Sequence, residues 1–308
     1  KMGGTTYVNF AILEGEHLGS STQTTDAAIT AKFPSVWTVN HRGRGIAYLV
    51  MRLVYHEDVF SGVPNITVKV QGQVVWDVRD STWKYSDNPA LCIYDWLTSP
   101  IYGLGVLAAE IDTASFIAGA NYSDELIAVP VGGPQKRFTC NGALDTNRTP
   151  KDNLAALCSS CRGNVVYEGG KFRLVIRRAL TFATITLDNT NIIGDWNFSA
   201  PGVRESMNLI RARYVDPTRN YQVDTVQFPD AGAANTYLTD DNGFENTQDV
   251  DLPLTNNRYM ATQIGMVLLK ESRSGIGVQV TCKETVLQLQ VGDIVPVTHE
   301  TPGWTAKP

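Results

Sequence analysis

The sequence predicts an α+β fold in which strand signals dominate. Polar and apolar residues alternate with a period of two in segments 66–70, 171–176 and 210–214, which is typical of strands with one face on a core. Elsewhere, apolar residues recur at the i, i+3, i+4, i+7 spacing of core-facing helices. The chain has 308 residues, of which 43% are hydrophobic and 19% charged. This is the composition of a globular protein long enough to bury one large core or a few small ones.

Helices are predicted where capping signals precede an apolar stripe. Asp87-Asn88-Pro89 places a capping residue before proline in a first helical turn, and a second helix is expected after Asp112-Thr113. A third is predicted after Thr149-Pro150, ending at Gly163, and a fourth at about 257–272. The apolar stripe of the third helix consists of Leu154, Leu157, Cys158 and Cys161.

The remaining segments predict further strands and two surface loops. Segments 278–282 and 293–297 are expected to pair as a short antiparallel meander, with Pro296 restricting the second strand to an edge. Gly, Pro, Asn and Asp accumulate at 129–136 and 216–251, and the second loop is long enough to be an insertion or a flexible arm. The expected organisation is a β-rich segment at 1–85, an α/β insertion with three helices at 86–180, and a second β-rich segment at 181–308.

Charge and cysteine usage exclude several classes of protein. The net charge of −5, with scattered Lys and Arg, argues against a dedicated nucleic-acid binder. Five irregularly spaced cysteines do not form a disulfide framework, so we expect folding in a reducing compartment. No apolar stretch approaches the ~18 residues of a membrane helix, and residues 1–10 lack the pattern of a signal peptide. Both ends are expected to be cuts through a longer chain.

Cys158-Ser159-Ser160-Cys161 is the sharpest local motif. A Cys-x-x-Cys pair can hold half a zinc site or form a redox-active dithiol. Both thiols fall on the apolar stripe of a predicted helix, and the chain has no second Cys-x-x-Cys and no pair of histidines to complete a site. The sequence therefore favours buried core cysteines over a metal or redox site.

No polar residues have the spacing of a known active site. The histidines, at 17, 41, 56 and 299, are scattered, and His56 with Glu57-Asp58 is expected in a solvated loop. The pairs Glu14/Glu16 and Asp249/Asp251 would share one strand face, as a glycosidase requires and as many polar sheet edges also show. We predict no catalytic, cofactor-binding or metal-binding residues. The segments interpreted as turns, instead of phosphate or calcium loops, are Gly43-Arg44-Gly45, Gly103-Leu104-Gly105 and Asp240-Asp241-Asn242-Gly243.

Several short blocks occur in a fixed order between residues 40 and 304. They are Arg44-Gly45-Ile46-Ala47-Tyr48-Leu49, Val63-Pro64-Asn65-Ile66, Asp87-Asn88-Pro89-Ala90-Leu91, Tyr102-Gly103-Leu104-Gly105, Ser160-Cys161-Arg162-Gly163, Tyr167-Glu168-Gly169-Gly170-Lys171-Phe172-Arg173-Leu174, Gly292-Asp293-Ile294-Val295 and Thr298-His299-Glu300-Thr301-Pro302-Gly303-Trp304. Together they resemble the hub region of the phage tail tip attachment protein J family of lambda-like tails, siphophages and gene transfer agents. Family members often carry the cysteine at 161 without one at 158, which also disfavours a metal pair. They continue beyond the position of Pro308 into further hub, fibronectin-like and receptor-binding parts.

The resemblance implies a structural virion protein and no enzyme. Its expected fold has small β-barrel-like tube domains with a helix-containing α/β insertion, similar to phage baseplate hub proteins, and three copies close a ring around the tail channel. Expected partners are the distal tail protein, the tape measure protein and tail tip proteins, with host contact through parts outside this chain. Made in the host cytoplasm, it would lie at the distal tail tip. DNA would pass its acidic lumen without specific binding, and no cofactor is expected.

Two alternative functions remain open from the sequence. A cell-wall-degrading glycoside hydrolase would need converging carboxylates such as Asp249 and Asp251. A carbohydrate-binding module would need exposed aromatic residues in a row. The six tryptophans, at 37, 76, 83, 96, 196 and 304, are not clustered along the chain.

Overall fold

The computed structural model describes residues 11–56, 62–64, 66–178, 183–199, 206–273, 276–300 and 302–307. The chain divides into two compact units, Lys1–Val70 and Gln71–Pro308. No helix in the described part of the chain has the length and apolar character needed to cross a membrane.

The described part of the first unit contains a two-stranded ribbon and one short helix. Strand β1 (Ala11–Leu18) pairs antiparallel with β2 (Ala47–Leu53), with a bulge between Leu13 and Gly15. Helix α1 (Ala27–Lys32) begins where the carboxylate of Asp26 accepts the N–H of Ile29 at 2.9 Å, as an N-cap does.

Segment 66–70, predicted to be a strand, has no regular structure. The apolar residues of its alternating pattern, Ile66, Val68 and Val70, are exposed, at 44%, 51% and 72% of their full surface. A period-two pattern makes a strand only where a neighbouring edge accepts its hydrogen bonds, and no described segment provides that edge. The prediction of a strand here is therefore wrong for the isolated chain.

The second unit combines helices with small open sheets. Its helices are α2 (Pro89–Thr98), α3 (Thr113–Asp124), α4 (Pro150–Ser159), α5 (Thr236–Asp240) and α6 (Arg258–Arg273). Its strands are β3 (Val74–Asp77), β4 (Thr82–Tyr85), β5 (Leu126–Ile127), β6 (Gln135–Lys136), β7 (Gly163–Glu168), β8 (Lys171–Ile176), β9 (Ile192–Ser199), β10 (Leu209–Asp216), β11 (Gln222–Phe228), β12 (Thr247–Asp251), β13 (Gly277–Cys282), β14 (Val297–His299) and β15 (Trp304–Lys307).

The strands of this unit form hairpins and one three-stranded sheet. Consecutive strands pair antiparallel as β3–β4, β5–β6, β7–β8 and β14–β15, while β13 pairs with the distant β9. The three-stranded sheet has the order β11-β10-β12, with β12 parallel to β10. Mixed helix and strand content agrees with the predicted α+β class. Within the described residues, none of these sheets closes into a barrel.

Helix α2 lies at the centre of the core. The side chain of Asn88 accepts the N–H of Ala90 at 3.1 Å, so the helix begins at Pro89 as its capping signal predicts. Its residues Leu91, Ile93 and Leu97 are completely buried. Helix α3, helix α4 and the β3–β4 hairpin all pack against α2, so the helix is buried on several faces.

Helix α6 covers the β11-β10-β12 sheet and joins it to the same core. Met260 and Ile264 are 1% exposed and belong to one contiguous cluster with the side chains of α2. The segment after β6 links the two regions, since the N–H of Thr139 points to the sulfur of Met260 at 3.2 Å and the N–H of Asn141 donates to the carbonyl of Leu254 at 2.8 Å.

The prediction of a long loop at 216–251 is wrong. This segment contains β11, α5 and β12. The two strands flank β10, and only alternate side chains such as Val226 and Val250 reach the core. Apart from Val223 and Phe228 their remaining positions are polar, so the apolar periodicity is too weak to identify these strands. Of the loop predicted at 129–136, the last two residues form β6.

Two further details differ from the sequence prediction. Helix α4 ends at Ser159, and the left-handed residue after it is Arg162, with φ 55°, instead of Gly163. The predicted meander is absent, because 278–282 pairs with β9 while Val297 begins the β14–β15 hairpin. Alternation identifies a strand but does not specify its partner.

Candidate functional site

Cys158 and Cys161 lie in the core, as predicted. Their exposed fractions are 7% and 0%, and the Cys161 thiol faces the carbonyl of Cys158 at 3.6 Å. Burial raises the pKa of Cys158 to about 12 and raises that of Cys161 further above its ordinary value. Because the thiolate is the form that attacks electrophiles or binds metal, these protonated thiols contribute packing. All five cysteines are free thiols.

In the first unit, His17 and His41 belong to one group of aromatic rings with Tyr48 and Trp37. The Nε2 atom of His17 lies 2.8 Å from the carboxylate of Asp26, and its ring stacks on Tyr48 at 4.4 Å. This hydrogen bond lowers the pKa of Asp26. His41 stacks on Trp37, and the Glu57-Asp58 neighbours of His56 lie outside the described residues. Within the described ranges, no group of three His, Cys, Asp or Glu residues is arranged to hold a metal ion.

One member of each carboxylate pair is engaged with an arginine. Glu14 lies 2.7 Å from the guanidinium of Arg52, and Asp251 lies 2.6 Å from that of Arg213 on the neighbouring strand. Asp249 is in register with Arg211. The Glu14–Arg52 and Asp251–Arg213 contacts are cross-strand ion pairs, an arrangement that stabilises strand pairing.

The segments predicted to be turns include one buried ion pair. Asn242 and Gly243 adopt left-handed backbone conformations, as the turn prediction requires. Asp241 turns inward and accepts hydrogen bonds from both terminal nitrogens of Arg273, at 2.7 and 2.9 Å, and from the side chain of Asn208 at 2.9 Å. Arg273, followed by Asn208, lowers the pKa of Asp241 to about 2. The turn therefore anchors α5 to the end of α6.

The first unit carries an extensive exposed apolar surface. Among its described hydrophobic residues Val50 alone is buried. The exposed members, together called the unit-1 apolar surface, are Leu13, Leu18, Phe33, Val36, Val39, Ile46, Leu49, Val54, Tyr55, Val63, Ile66, Val68 and Val70. A unit that exposes most of its large apolar side chains has the composition of a surface that a partner covers.

Aromatic residues distant in sequence meet in the second unit. Trp196 and Phe198 lie parallel on β9 with ring centres 6.0 Å apart, and His299 contacts both rings. Trp304 meets Phe198 edge-on at 5.6 Å. These four residues form what we call the aromatic cluster. The sequence-based statement that the tryptophans are not clustered is wrong for the folded chain, because β9 and β15 bring Trp196 and Trp304 to the same group.

A pocket lined by four arginines was not identified from the sequence. Its volume is about 540 Å³, and its arginines are Arg137, Arg162, Arg177 and Arg178. They come from the residue after β6, the turn after α4 and the two residues that follow β8. The one signal in the sequence is the adjacent pair Arg177-Arg178. The others lie 15 and 40 positions before Arg177, so only folding reveals the arginine pocket.

Three comparisons relate the chain to known proteins. The family described as "Putative phage tail protein" matches residues 149–307. Baseplate hub protein pb3 of Escherichia phage T5 is 21% identical over 294 residues, which cover 89% of this chain and 30% of that protein. Tip attachment protein J of Escherichia phage SECphi27 is 22% identical over 255 residues, which cover 76% of this chain and 21% of that protein.

The chain spans less than a third of the length of these two relatives. Among solved structures, a chain from the virion of a native gene transfer agent particle superposes with a TM-score of 0.50 at 17% identity. That superposition covers 96% of this chain and 70% of the other. At this identity the likeness shows a shared fold.

Proposed function

Because the chain belongs to this phage tail protein family, we propose that it is a structural subunit of the hub at the tip of a phage tail, which works by assembly and not by catalysis. The names of its two relatives, a baseplate hub protein and a tip attachment protein, support this position in the virion. The observation that carries the proposal is the unit-1 apolar surface.

The first unit has the properties of an element stabilised by a partner. Its β1–β2 ribbon is an isolated two-stranded sheet within the described residues, with both outer edges unpaired. Such a ribbon is only marginally stable alone, and free edges pair readily with other chains. Leu18, Val36 and Val63 are 79%, 71% and 88% exposed. Burial of these side chains against neighbours would supply the stabilisation that the ribbon lacks.

In this proposal three copies form a closed ring around the tail channel. The small sheets are open in one chain, so strands of adjacent copies would complete the barrel-like tube domains. The distal tail protein, the tape measure protein and tail tip proteins are the proposed partners, and host contact occurs through parts outside this chain. The segments 1–85, 86–180 and 181–308 are its proposed domains. DNA passes during ejection along a wall whose net charge of −5 opposes phosphate adhesion.

Gold-labelled antibodies raised against the chain test its location on intact particles produced from the encoding genome. The expected result is label confined to the distal end of the tail. Label along the tail tube or on the head would contradict the hub position. Absence of label from both intact and disrupted particles would contradict a virion role altogether.

A second candidate function, carbohydrate binding, is favoured by the aromatic cluster. Aromatic faces near the surface are suited to stacking on sugar rings, and Phe198 in this cluster is 39% exposed. A glycan array with the wild-type chain tests this function, with Trp304→Ala as the disrupted variant. The control is Trp83→Ala, which changes a 64% exposed tryptophan outside the cluster. Binding lost in the first variant and retained in the second would support this function.

The absence of enzymatic activity is part of the main proposal. Asp251, the carboxylate suggested for a hydrolase, is held by Arg213 at 2.6 Å. Incubation of the chain with murein is expected to release no soluble fragments. Release that disappears in an Asp249→Asn, Asp251→Asn double variant would support the hydrolase alternative.

A further inference from the structure

We propose that the arginine pocket of the second unit binds a carboxylate side chain presented by an acidic peptide segment of a partner protein. The choice of a protein partner rests on the proposed assembly function. The existence of an oxyanion site rests on the geometry of the pocket alone.

The pocket carries more positive charge than its own carboxylates neutralise. Arg137 is bound to Glu125 at 2.8 Å, and Arg177 is paired with Glu271. Arg162 and Arg178 have no ion-pair partner among the described residues. Four guanidinium groups against two carboxylates therefore leave two positive charges facing one cavity, where each raises the affinity for an anion.

Aromatic rings hold the guanidinium groups in place. The guanidinium carbons of Arg137 and Arg178 lie 4.5 and 5.4 Å from the ring centre of Tyr122. That of Arg162 lies 5.3 Å from the ring centre of Phe138. Contact with a ring occupies one face of a guanidinium and leaves its N–H edges available. These edges can bind a carboxylate with two parallel hydrogen bonds. The arginines are thus positioned before any ligand arrives.

Arg162 has two features that point to a ligand. Its Nε atom is buried and has no hydrogen-bond partner among the described residues, although buried donors are nearly always satisfied. Its backbone is left-handed, with φ 55°, at a position followed directly by Gly163. A non-glycine residue in this conformation is uncommon and is found at functional sites. The conformation places the arginine in the pocket lining at the end of α4.

The size of the pocket distinguishes between anions. A volume of about 540 Å³ accommodates one or two side chains, within the range of small-ligand sites. Duplex DNA is far too wide to enter, and its phosphates would approach a chain whose net charge of −5 repels them at long range. An acidic peptide presents an isolated carboxylate on a narrow side chain. One arginine of the pocket, Arg177, already pairs with a carboxylate, that of the lining residue Glu271.

Fluorescence anisotropy with a dye-labelled, glutamate-rich peptide tests the proposal on the complete 308-residue chain. Arg178→Ala removes an unpaired guanidinium and is expected to weaken binding by about tenfold or more, since a charge-assisted hydrogen bond to a carboxylate is lost. Arg178→Lys is expected to weaken binding by less, because it keeps the charge and loses the paired N–H geometry. The matched control is Arg148→Ala, which removes an exposed arginine outside the pocket.

Competition with inorganic phosphate and with a single-stranded oligonucleotide distinguishes the possible ligands. Peptide binding that is reduced in Arg178→Ala, intact in Arg148→Ala and weakly displaced by the competitors supports the proposal. No binding by the wild-type chain, or equal loss in the control, overturns it. Tighter binding of phosphate or oligonucleotide than of peptide also overturns it. Circular dichroism checks that each variant is folded. If particle labelling showed that the protein does not lie at the tail tip, the measured peptide affinities would not change, so the two proposals can fail independently.

Discussion

At the scale of single residues, Gly103 lies where the chain turns back over the end of α2. The carbonyls of Trp96 and Leu97 accept the N–H groups of Leu104 and Val106 at 3.0 and 2.8 Å, which satisfies the last turn of the helix. A Cβ atom at Gly103 would lie 1.9 Å from the carbonyl oxygen of Trp96. The backbone of a buried helix cannot move aside, so only glycine fits here.

Gly103→Ala is therefore expected to lower the free energy of unfolding by roughly 1–3 kcal/mol, the usual cost of inserting a methyl group into a packed site. Urea denaturation followed by circular dichroism measures the change. Gly72→Ala is the matched control, because a Cβ atom at Gly72 meets nothing within 4 Å. Equal effects of the two substitutions would contradict the steric explanation.

The Asp241–Arg273 pair predicts a specific dependence of stability on pH. The pKa of Asp241 is lowered to about 2 in the folded chain, below its ordinary value of 3.8. A carboxyl with a depressed pKa contributes its stabilisation fully above the ordinary value and loses it as the pH falls through the folded value. The stability difference between wild type and Asp241→Asn should therefore shrink as the pH falls from about 4 toward 2.

Denaturation midpoints of both proteins across this pH range give that difference directly. Asp240→Asn serves as the control, since Asp240 is the exposed neighbour of Asp241 and makes no ion pair within the described residues. A stability difference between wild type and Asp241→Asn that stays constant down to pH 2 would show that the carboxylate charge does not contribute.

The candidate site was only partly predictable from residue patterns. Cys158 and Cys161 were predicted as core residues from helical spacing, and both are buried, although α4 ends at Ser159, before Cys161. The arginine pocket was not predicted, because its members are far apart in sequence. The spacing of arginines along a chain does not indicate which of them will line the same cavity. Asp241 was predicted only as part of a turn, since its partner Arg273 lies on a different helix.

At the scale of elements, helices were predicted better than strands. Helices α2, α3, α4 and α6 begin within one residue of the expected positions, because caps and apolar stripes are local signals. Strand partners are set by contacts between distant segments. The pairing of β13 with β9 and the parallel pairing of β12 with β10 therefore left no local signature.

The β3–β4 hairpin is fixed to α3 by a chain of ion pairs centred on Asp77. This carboxylate is completely buried and lies 2.8 Å from Arg79 and 2.9 Å from Lys84. A terminal nitrogen of Arg79 also lies 2.8 Å from a carboxylate oxygen of Asp124, the last residue of α3. The guanidinium of Arg79 keeps the pKa of Asp77 well below its ordinary value. Removal of this one acceptor leaves two cations competing for the remaining carboxylates.

Asp77→Ala is expected to lower the free energy of unfolding by roughly 3 kcal/mol, the lower end for breaking a buried pair because both cations are partly exposed. Asp80→Ala removes a carboxylate that is 49% exposed and also binds Lys84. Its expected cost is much smaller, because a solvent-exposed ion pair contributes little to stability. Thermal unfolding by calorimetry compares the two variants. Similar costs would show that burial of Asp77 does not determine its contribution.

At the scale of the whole molecule, the two units differ in how they are stabilised. The second unit has a contiguous core that extends from Val75 to Ile264. The first unit buries Val50 and leaves the unit-1 apolar surface to solvent. Its alternating segment 66–70 has the pattern of a strand without a partner in the described chain. The proposed assembly would account for this pattern, because a partner chain can supply the strand edge that segment 66–70 lacks.

Self-association through the first unit is therefore the last prediction. The 33.8 kDa chain is expected to sediment as a concentration-dependent trimer in analytical ultracentrifugation. Leu18→Lys places a charge on a side chain that is 79% exposed, so it should weaken association without loss of folding. Ile101→Lys is the matched control, since Ile101 is 89% exposed in the second unit. A ring requires two different complementary patches on each copy, so one altered patch is enough to prevent closure. A wild-type chain that remains monomeric at every concentration, or equal weakening by both substitutions, would contradict assembly through the unit-1 apolar surface.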